Sequence, residues 1–101
     1  MSTGKINPLL SESQLEAVAV RFRLLGEPMR LRMLQAVCRK PRTVSEIVAA
    51  VGATQANVSK HLALLAGAGI LARRQHGQRV FYGMKDQLAL KLCALVHNHL
   101  D

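Results

Sequence analysis

Aromatic side chains are nearly missing from this chain: Phe22, Phe81 and Tyr82 are the only three in 101 residues, and there is no tryptophan. The core must therefore be aliphatic, and a groove that stacks single-stranded nucleic acid on aromatic rings is disfavoured. Acids are also scarce, six Asp and Glu against fourteen Lys and Arg, for a net charge of +8. None falls between Glu46 and Asp86, while Lys60, Arg73, Arg74, Arg79 and Lys85 all do. That balance favours an anionic partner: DNA, RNA or an anionic membrane surface. No two acids stand at a spacing useful for acid–base chemistry, and GxGxxG, P-loop, HExxH and GxSxG motifs are absent, which argues against an enzyme and against a bound cofactor. Two cysteines, Cys38 and Cys93, do not make a disulfide framework and read as thiols in a reducing compartment. A membrane-spanning helix needs about 20 apolar residues. The longest candidate, Leu62 to Ala72, is too short and contains Gly67 and Gly69, and Met1 to Pro8 lacks the apolar core of a signal peptide. The expectation is a cytoplasmic protein with no membrane partner.

The length suits a single domain spanning residues 1–101, with residues 1–10 a loose arm. Ser13 and Glu16 have capping-box spacing for a first helix, whose apolar stripe is Leu15, Val18, Ala19, Phe22 and Leu25. Gly26 suits a left-handed cap, and Pro28 the first turn of a second helix. That helix carries Met29, Met33, Ala36 and Val37 on one stripe with Leu31, Leu34 and Cys38 beside it, and Pro41 stops it. Thr43 and Glu46 form another capping box, for a short third helix ended by Gly52.

The fourth helix and the segment after it are the most informative. Thr54 is a good N-cap. Val58, Leu62 and Leu65 face inward, so Gln55, Ser59 and Lys60 lie mostly on the other side, where hydrogen-bonding side chains suit base edges in a DNA major groove. A short helix, a glycine-containing turn and a second helix is the helix-turn-helix arrangement. Next, Ile70 to Gln75 and Gln78 to Met84 read as two strands around His76-Gly77, with Val80, Tyr82 and Met84 alternating as a half-buried strand does. This basic hairpin suits the phosphate backbone. The predicted fold is mainly α with a small β-hairpin, a winged helix-turn-helix.

Asp86 caps a last helix over roughly residues 87–100. Leu88, Leu92, Leu95 and Val96 form one stripe, and Ala89, Cys93, Leu100, Leu90 and Ala94 extend it round the cylinder. A terminal helix of a small monomer keeps a polar outer face. Here one face packs on its own domain and the other on a second subunit, with Ala17, Val20 and Leu24 of the first helix available to join. A homodimer is expected.

In the order Leu25-Gly-Glu-Pro-Met-Arg-Leu-Arg-Met-Leu34, Thr43-Val-Ser-Glu-Ile47, Ser59-Lys-His-Leu62 and Gly77-Gln-Arg-Val-Phe-Tyr82, the chain resembles the ArsR/SmtB family of bacterial winged-helix repressors over roughly residues 14–100. The resemblance implies a dimer built on the first and last helices. It also implies repression of double-stranded operator DNA, relieved when a small inducer binds or a thiol is modified. By position, the family's base-reading face falls on Gln55, Ser59 and Lys60, with Thr54, Asn57 and His61 nearby; Arg74, Gln78 and Arg79 fall on the wing, where the two arginines suit phosphate contacts. Each has a plainer reading. Thr54 only caps, Ser59 bonds back to its own helix, His61 packs against the third helix, and the arginines are merely solvated.

The family's metal sites are incomplete in this sequence. Where one site has a cysteine pair at the start of the third helix, Thr43 and Ser45 stand, poor ligands for a soft metal. In the other site Asp86 and His99 match two positions, Leu88 replaces a histidine and the fourth ligand would lie beyond Asp101; His97 is a substitute at best. Asp86 as a cap and the histidines as surface groups is the simpler account, so no metal is assigned. Cys38, flanked by Arg39, Lys40 and Arg42 in a setting that favours thiol reactivity, and Cys93, on the dimer helix, are the redox or effector candidates; each also reads as a small buried hydrophobe. The effector itself is not named by the sequence. Two rivals to an inducible repressor stay open: a winged-helix module that binds protein or RNA, and a constitutive DNA binder without an inducer.

Overall fold

The computed structural model describes residues 9–100; most of the arm expected over residues 1–10 lies outside the described residues. Five helices and three strands follow in the order α1 (Glu12–Leu25), α2 (Pro28–Val37), β1 (Arg42–Thr43), α3 (Val44–Val51), α4 (Gln55–Gly67), β2 (Leu71–His76), β3 (Arg79–Met84) and α5 (Leu88–His97). The winged helix-turn-helix expected from the sequence is the fold observed.

Helix starts follow local capping chemistry. The α1 cap is Ser11 rather than Ser13: its hydroxyl accepts the Gln14 N–H, and the Gln14 side chain accepts the Ser11 N–H. Two overlapping S-x-x-E/Q frames compete here, and the earlier one wins because it adds two helical residues. Gly26 is not left-handed, with φ −88°. Its small size matters for another reason, since a Cβ there would lie 3.1 Å from the Phe22 carbonyl oxygen as the chain turns directly into α2. Pro28 stands in the first turn of α2, behind the N-cap Glu27. Thr43 and Glu46 form the capping box of α3 as read, and Gly52 ends it at φ +70°. Thr54 caps α4 by accepting the Asn57 N–H at 3.2 Å.

The core gathers Met33, Leu34 and Val37 of α2, Ile47 of α3, Val58, Leu62 and Leu65 of α4, and Ile70, Leu71 and Tyr82 of the wing. All are apolar except for the tyrosine hydroxyl, as the aromatic-poor composition requires.

The wing is a three-stranded antiparallel sheet in the order β1-β3-β2, not a hairpin alone. Arg42 and Thr43 pair with Tyr82 and Phe81. The turn between β2 and β3 is Gly77-Gln78, one residue later than His76-Gly77, because Gly77 takes φ +63° at the first central position and His76 remains paired with Arg79. Burial along β3 does not simply alternate. Tyr82 is buried on the core face, and Gly83 is buried as well because Pro41 covers it; a Cβ on Gly83 would lie 3.1 Å from the proline Cγ.

Cys38 is exposed, not on the apolar stripe of α2. The helix ends at Val37, Cys38 is its C-cap, and Arg42 Nε donates to the Ala36 carbonyl at 2.9 Å, satisfying one of the orphan acceptors of that helix end. The last helix is shorter than expected. Its N-cap Gln87 makes no side-chain bond, and the Asp86 carboxylate supplies the cap from one residue earlier by accepting the Leu88 N–H at 2.9 Å.

The α3 cap responds to acid. Glu46 is held below its ordinary pKa of 4.5, first by the Thr43 backbone N–H, which outweighs the opposing desolvation, and then by the Thr43 hydroxyl and the charges of Arg42 and Arg79. A depressed carboxyl contributes stability that is present above the unfolded value and is lost as pH falls through the folded one. An NMR titration of Glu46 is expected to show a midpoint below 4.5. In Glu46→Gln this acid-dependent loss of α3 protection disappears; an unshifted midpoint would contradict the capping account.

Candidate nucleic-acid interface

α4 is seated by three side chains wholly closed to solvent, Val58, Leu62 and Leu65. Their spacing places one stripe against α2 and α3 and leaves the opposite side open. Lys60 is exposed there, Asn57 and Ser59 are exposed on the flanks, and Gln55, which falls along the buried stripe rather than opposite it, is exposed because it opens the first turn; Thr54 stands exposed at the helix start with its hydroxyl committed to the cap. Thr54 thus serves α4 structurally whatever else it touches.

His61 is half-buried and bonds to α2. Its Nδ1 accepts a hydrogen bond from Arg30 Nε at 3.1 Å. Arg30 is anchored in turn through its backbone N–H, which Glu27 accepts at 3.0 Å. A guanidinium is therefore held beside the exposed helix by a side chain of that helix. Sequence reasoning gave Arg30 no role. Its only signal was membership of the Leu25–Leu34 motif, because its partner lies 31 residues away.

The wing continues the same character. Arg73, Arg74, Gln75, His76, Gln78 and Arg79 are exposed. The Gln75 side-chain amide donates to the Gly77 carbonyl at 3.1 Å, bracing the turn. Phe81 holds two of the basic groups: the Arg79 guanidinium lies 5.1 Å above its ring, and His76 meets it edge-on at 5.8 Å. Cation–π contact restricts Arg79 and makes it a positioned charge rather than a free one. Strand pleating separates Arg73 and Arg74. Arg74 pairs with Phe81, whereas Arg73 pairs with Tyr82, whose ring is in the core.

No acid interrupts this surface from residue 47 to residue 85. A helix with exposed amide, hydroxyl and ammonium groups, next to a braced basic sheet, carries the donors and charges that suit a polyanion with accessible base edges.

The sensing candidates are dispersed. Asp86 is engaged by the Arg21 guanidinium at 3.3 Å and by the Leu88 N–H, and it stands at the opposite end of α5 from His97 and His99. His99 Nδ1 lies 2.9 Å from the Leu95 carbonyl. Among the described residues no three His, Cys, Asp or Glu side chains gather as a metal set. At the other family site Thr43 is used as a cap, and Thr43 and Ser45 offer only hydroxyls, poor ligands for a soft metal. Cys93 is half-buried on α5, and Cys38 opens onto a groove beside the wing.

The other apolar surfaces are left open. Leu88, Leu95 and Val96 of α5 are 52%, 57% and 60% exposed, and Leu15, Val18, Val20 and Phe22 of α1 are also uncovered. Only Ala89 of α5 and Leu25 of α1 are buried within the domain. The α1 stripe expected to face inward thus remains largely outside. No helix among the described residues is long and apolar enough to cross a membrane.

Residues 27–73 match the model of the bacterial regulatory protein, arsR family. The chain is 36% identical over 74 residues to a probable mercury resistance operon repressor of Streptomyces lividans, a match covering 73% of this chain and 59% of that repressor's length. It is 32% identical over 91 residues to the uncharacterized HTH-type transcriptional regulator Rv0081 of Mycobacterium tuberculosis, covering 89% of this chain and 80% of the relative. The fold is similar to the homodimeric winged helix-turn-helix DNA-binding domain Mb0332 of Mycobacterium bovis, with a TM-score of 0.79 at 26% identity over 99% of this chain and 94% of that one. The chain belongs to the ArsR family of bacterial regulatory proteins, as a sequence-specific DNA-binding regulator and not an enzyme.

Proposed function

We propose that the protein is a homodimeric repressor of palindromic operator DNA, working in the cytoplasm, and that thiol modification releases it. The observation that carries the DNA reading is the exposed face of α4, polar and basic at Gln55, Asn57, Ser59 and Lys60 where a protein-binding winged helix would be apolar. Gln55, Ser59 and Lys60 read base edges, with Asn57 and His61 beside them and Thr54 fixing the helix start. Arg74, Gln78 and Arg79 meet phosphates from the wing.

Two copies of α4 in a dimer favour half-sites about one helical turn, ~10 base pairs, apart or a multiple of it. Gln55→Ala and Lys60→Ala are expected to lose affinity for a selected palindrome more than for random duplex, by about 1–3 kcal/mol of discrimination. Arg74→Ala and Arg79→Ala weaken both duplexes alike and flatten the salt dependence by roughly one counterion each. Gel-shift titrations at several salt concentrations separate the two classes. Equal loss on both duplexes for the α4 variants would refute the base-reading assignment.

The dimer reading rests on the uncovered leucines and valines of α1 and α5 and on the homodimeric assembly of the M. bovis relative. Leu95 is the cleaner probe, since Leu92 packs against the domain's own core and Leu95 does not. Burying a charge without a partner costs several kcal/mol, roughly 3 or more. Sedimentation is therefore expected to show a dimer at micromolar concentration for the wild type and a folded monomer for Leu95→Glu. A wild-type monomer at that concentration would end this reading.

The thiol reading rests on chemistry that the metal reading lacks. Cys38 is solvent-accessible between Arg39, Lys40 and the wing, and Cys93 lies half-buried on α5. Oxidation or persulfide transfer at Cys93 would place a larger group in packed surroundings, at about 1–3 kcal/mol, the scale of a common allosteric coupling. A disulfide or polysulfide donor is expected to weaken operator binding more than zinc or cadmium does. The Cys38→Ser/Cys93→Ser variant should keep the operator and lose this response; a wild-type response from that variant would make both cysteines structural.

A further inference from the structure

A groove of about 680 Å³ opens on the side of the wing that faces away from the core. The connection after α2, the β2 and β3 strands, and Gln87 at the start of α5 form its walls. Ala72, Arg74 and His76 come from one pleat face of β2, and their partners Gly83 and Phe81 come from β3. Its floor is apolar, through Val37, Pro41, Phe81 and Met84, and its volume falls in the range of small-molecule sites.

The charge in the groove has one sign. Arg39, Lys40 and Arg74 line it and no acid does. The single ion pair among the described residues is elsewhere, between Arg21 and Asp86. Three cations therefore line the groove beside an apolar floor, with no carboxylate among the lining residues. Phosphate backbone would match the cations but not the floor. A purely apolar ligand would match the floor but leave the charges unanswered.

We infer that this groove binds a small amphipathic anion, a carboxylate or sulfonate on a flat or branched apolar body, and that its occupancy opposes DNA binding. The head group sits among Arg39, Lys40 and Arg74, and the body lies over Pro41, Phe81 and Met84. Arg74 is shared between the groove and the wing's phosphate contacts, so a bound anion withdraws it from DNA. The opposing effect on DNA rests on the repressor reading above; the binding itself does not.

The test uses 2-naphthoate with the full chain, and 2-naphthamide as its neutral counterpart. In ¹H–¹⁵N spectra of the DNA-free protein, naphthoate is expected to shift the amides of Cys38, Lys40, Phe81 and Gly83 saturably. The amide analogue, and naphthoate with the Arg39→Glu/Lys40→Glu variant, are expected to bind at least tenfold more weakly. Alkylation of Cys38 by iodoacetamide, read by mass spectrometry, should slow in parallel. Shifts confined to α1 and α5, equal affinity for acid and amide, or full affinity in the charge-reversed variant would overturn the site. So would protection of these amides by random duplex DNA with no response to naphthoate, which would make the groove a phosphate contact. Saturating naphthoate should then weaken binding to a palindrome selected from random duplexes by roughly fivefold or more. Naphthoate binding with unchanged duplex affinity would overturn the opposing effect, whereas failure to bind any duplex would sink the repressor reading and leave the groove measurement standing.

Discussion

The seating of α4 governs what the rest of the molecule presents. Val58, Leu62 and Leu65 are closed to solvent against Met33 and Ile47, which are closed as well. Each helical residue turns the face by about 100°, so this stripe fixes the direction of Gln55, Ser59 and Lys60. Gly52 sets the approach. Its left-handed backbone lets the chain leave α3 with its N–H bonded to the Val48 carbonyl, and Thr54 then starts α4 two residues later. The exposed polar face of α4 is thus a consequence of aliphatic packing and one glycine, not of interactions among the polar residues themselves.

What could be read from the sequence is what is encoded within a helical turn. The Thr43–Glu46 box, Gly52, Thr54 and the 58-62-65 stripe involve neighbours three or four positions apart, and their chemistry is fixed by local backbone geometry. Even locally the reading slips where two signals overlap, as Ser11 and Ser13 do at the start of α1. β1 escapes detection because two residues carry no periodicity, and the strand exists only through pairing with Tyr82 and Phe81. The Arg30–His61 bond and the cover of Pro41 over Gly83 are likewise contacts between distant segments. The candidate DNA face was legible because it is one helix and one hairpin. The guanidinium beside it and the groove behind the wing were not, because segments far apart in the sequence must meet to form them.

The end of α2 shows how one such contact redirects a residue's chemistry. Helical periodicity alone carries Cys38 onto the stripe with Leu31 and Leu34. Arg42 instead reaches back to the Ala36 carbonyl, and the helix stops at Val37. Cys38 then faces solvent beside Arg39 and Lys40, and Pro41 turns in over Gly83. The same short connection therefore frees a thiol, covers the back of the sheet and brings two cations to the groove. A change in this connection would be felt by the wing through β1, which follows it directly.

Polar and apolar surfaces divide along the chain as well. The acid-free segment from residue 47 to residue 85 holds α4 and the wing, and Asp86 ends it. The Asp86 carboxylate accepts the Leu88 N–H and pairs with Arg21, so one acid both starts α5 and ties it to α1. Both partners are about one-third exposed, and a pair of that kind contributes about 0–1 kcal/mol. Its importance is directional. The apolar faces of α1 and α5 form a common surface only if the two helices keep a fixed relation, and little within the domain buries either of them. The Arg21–Asp86 pair is one contact that joins α1 to the start of α5, at the point where the acid-free segment ends.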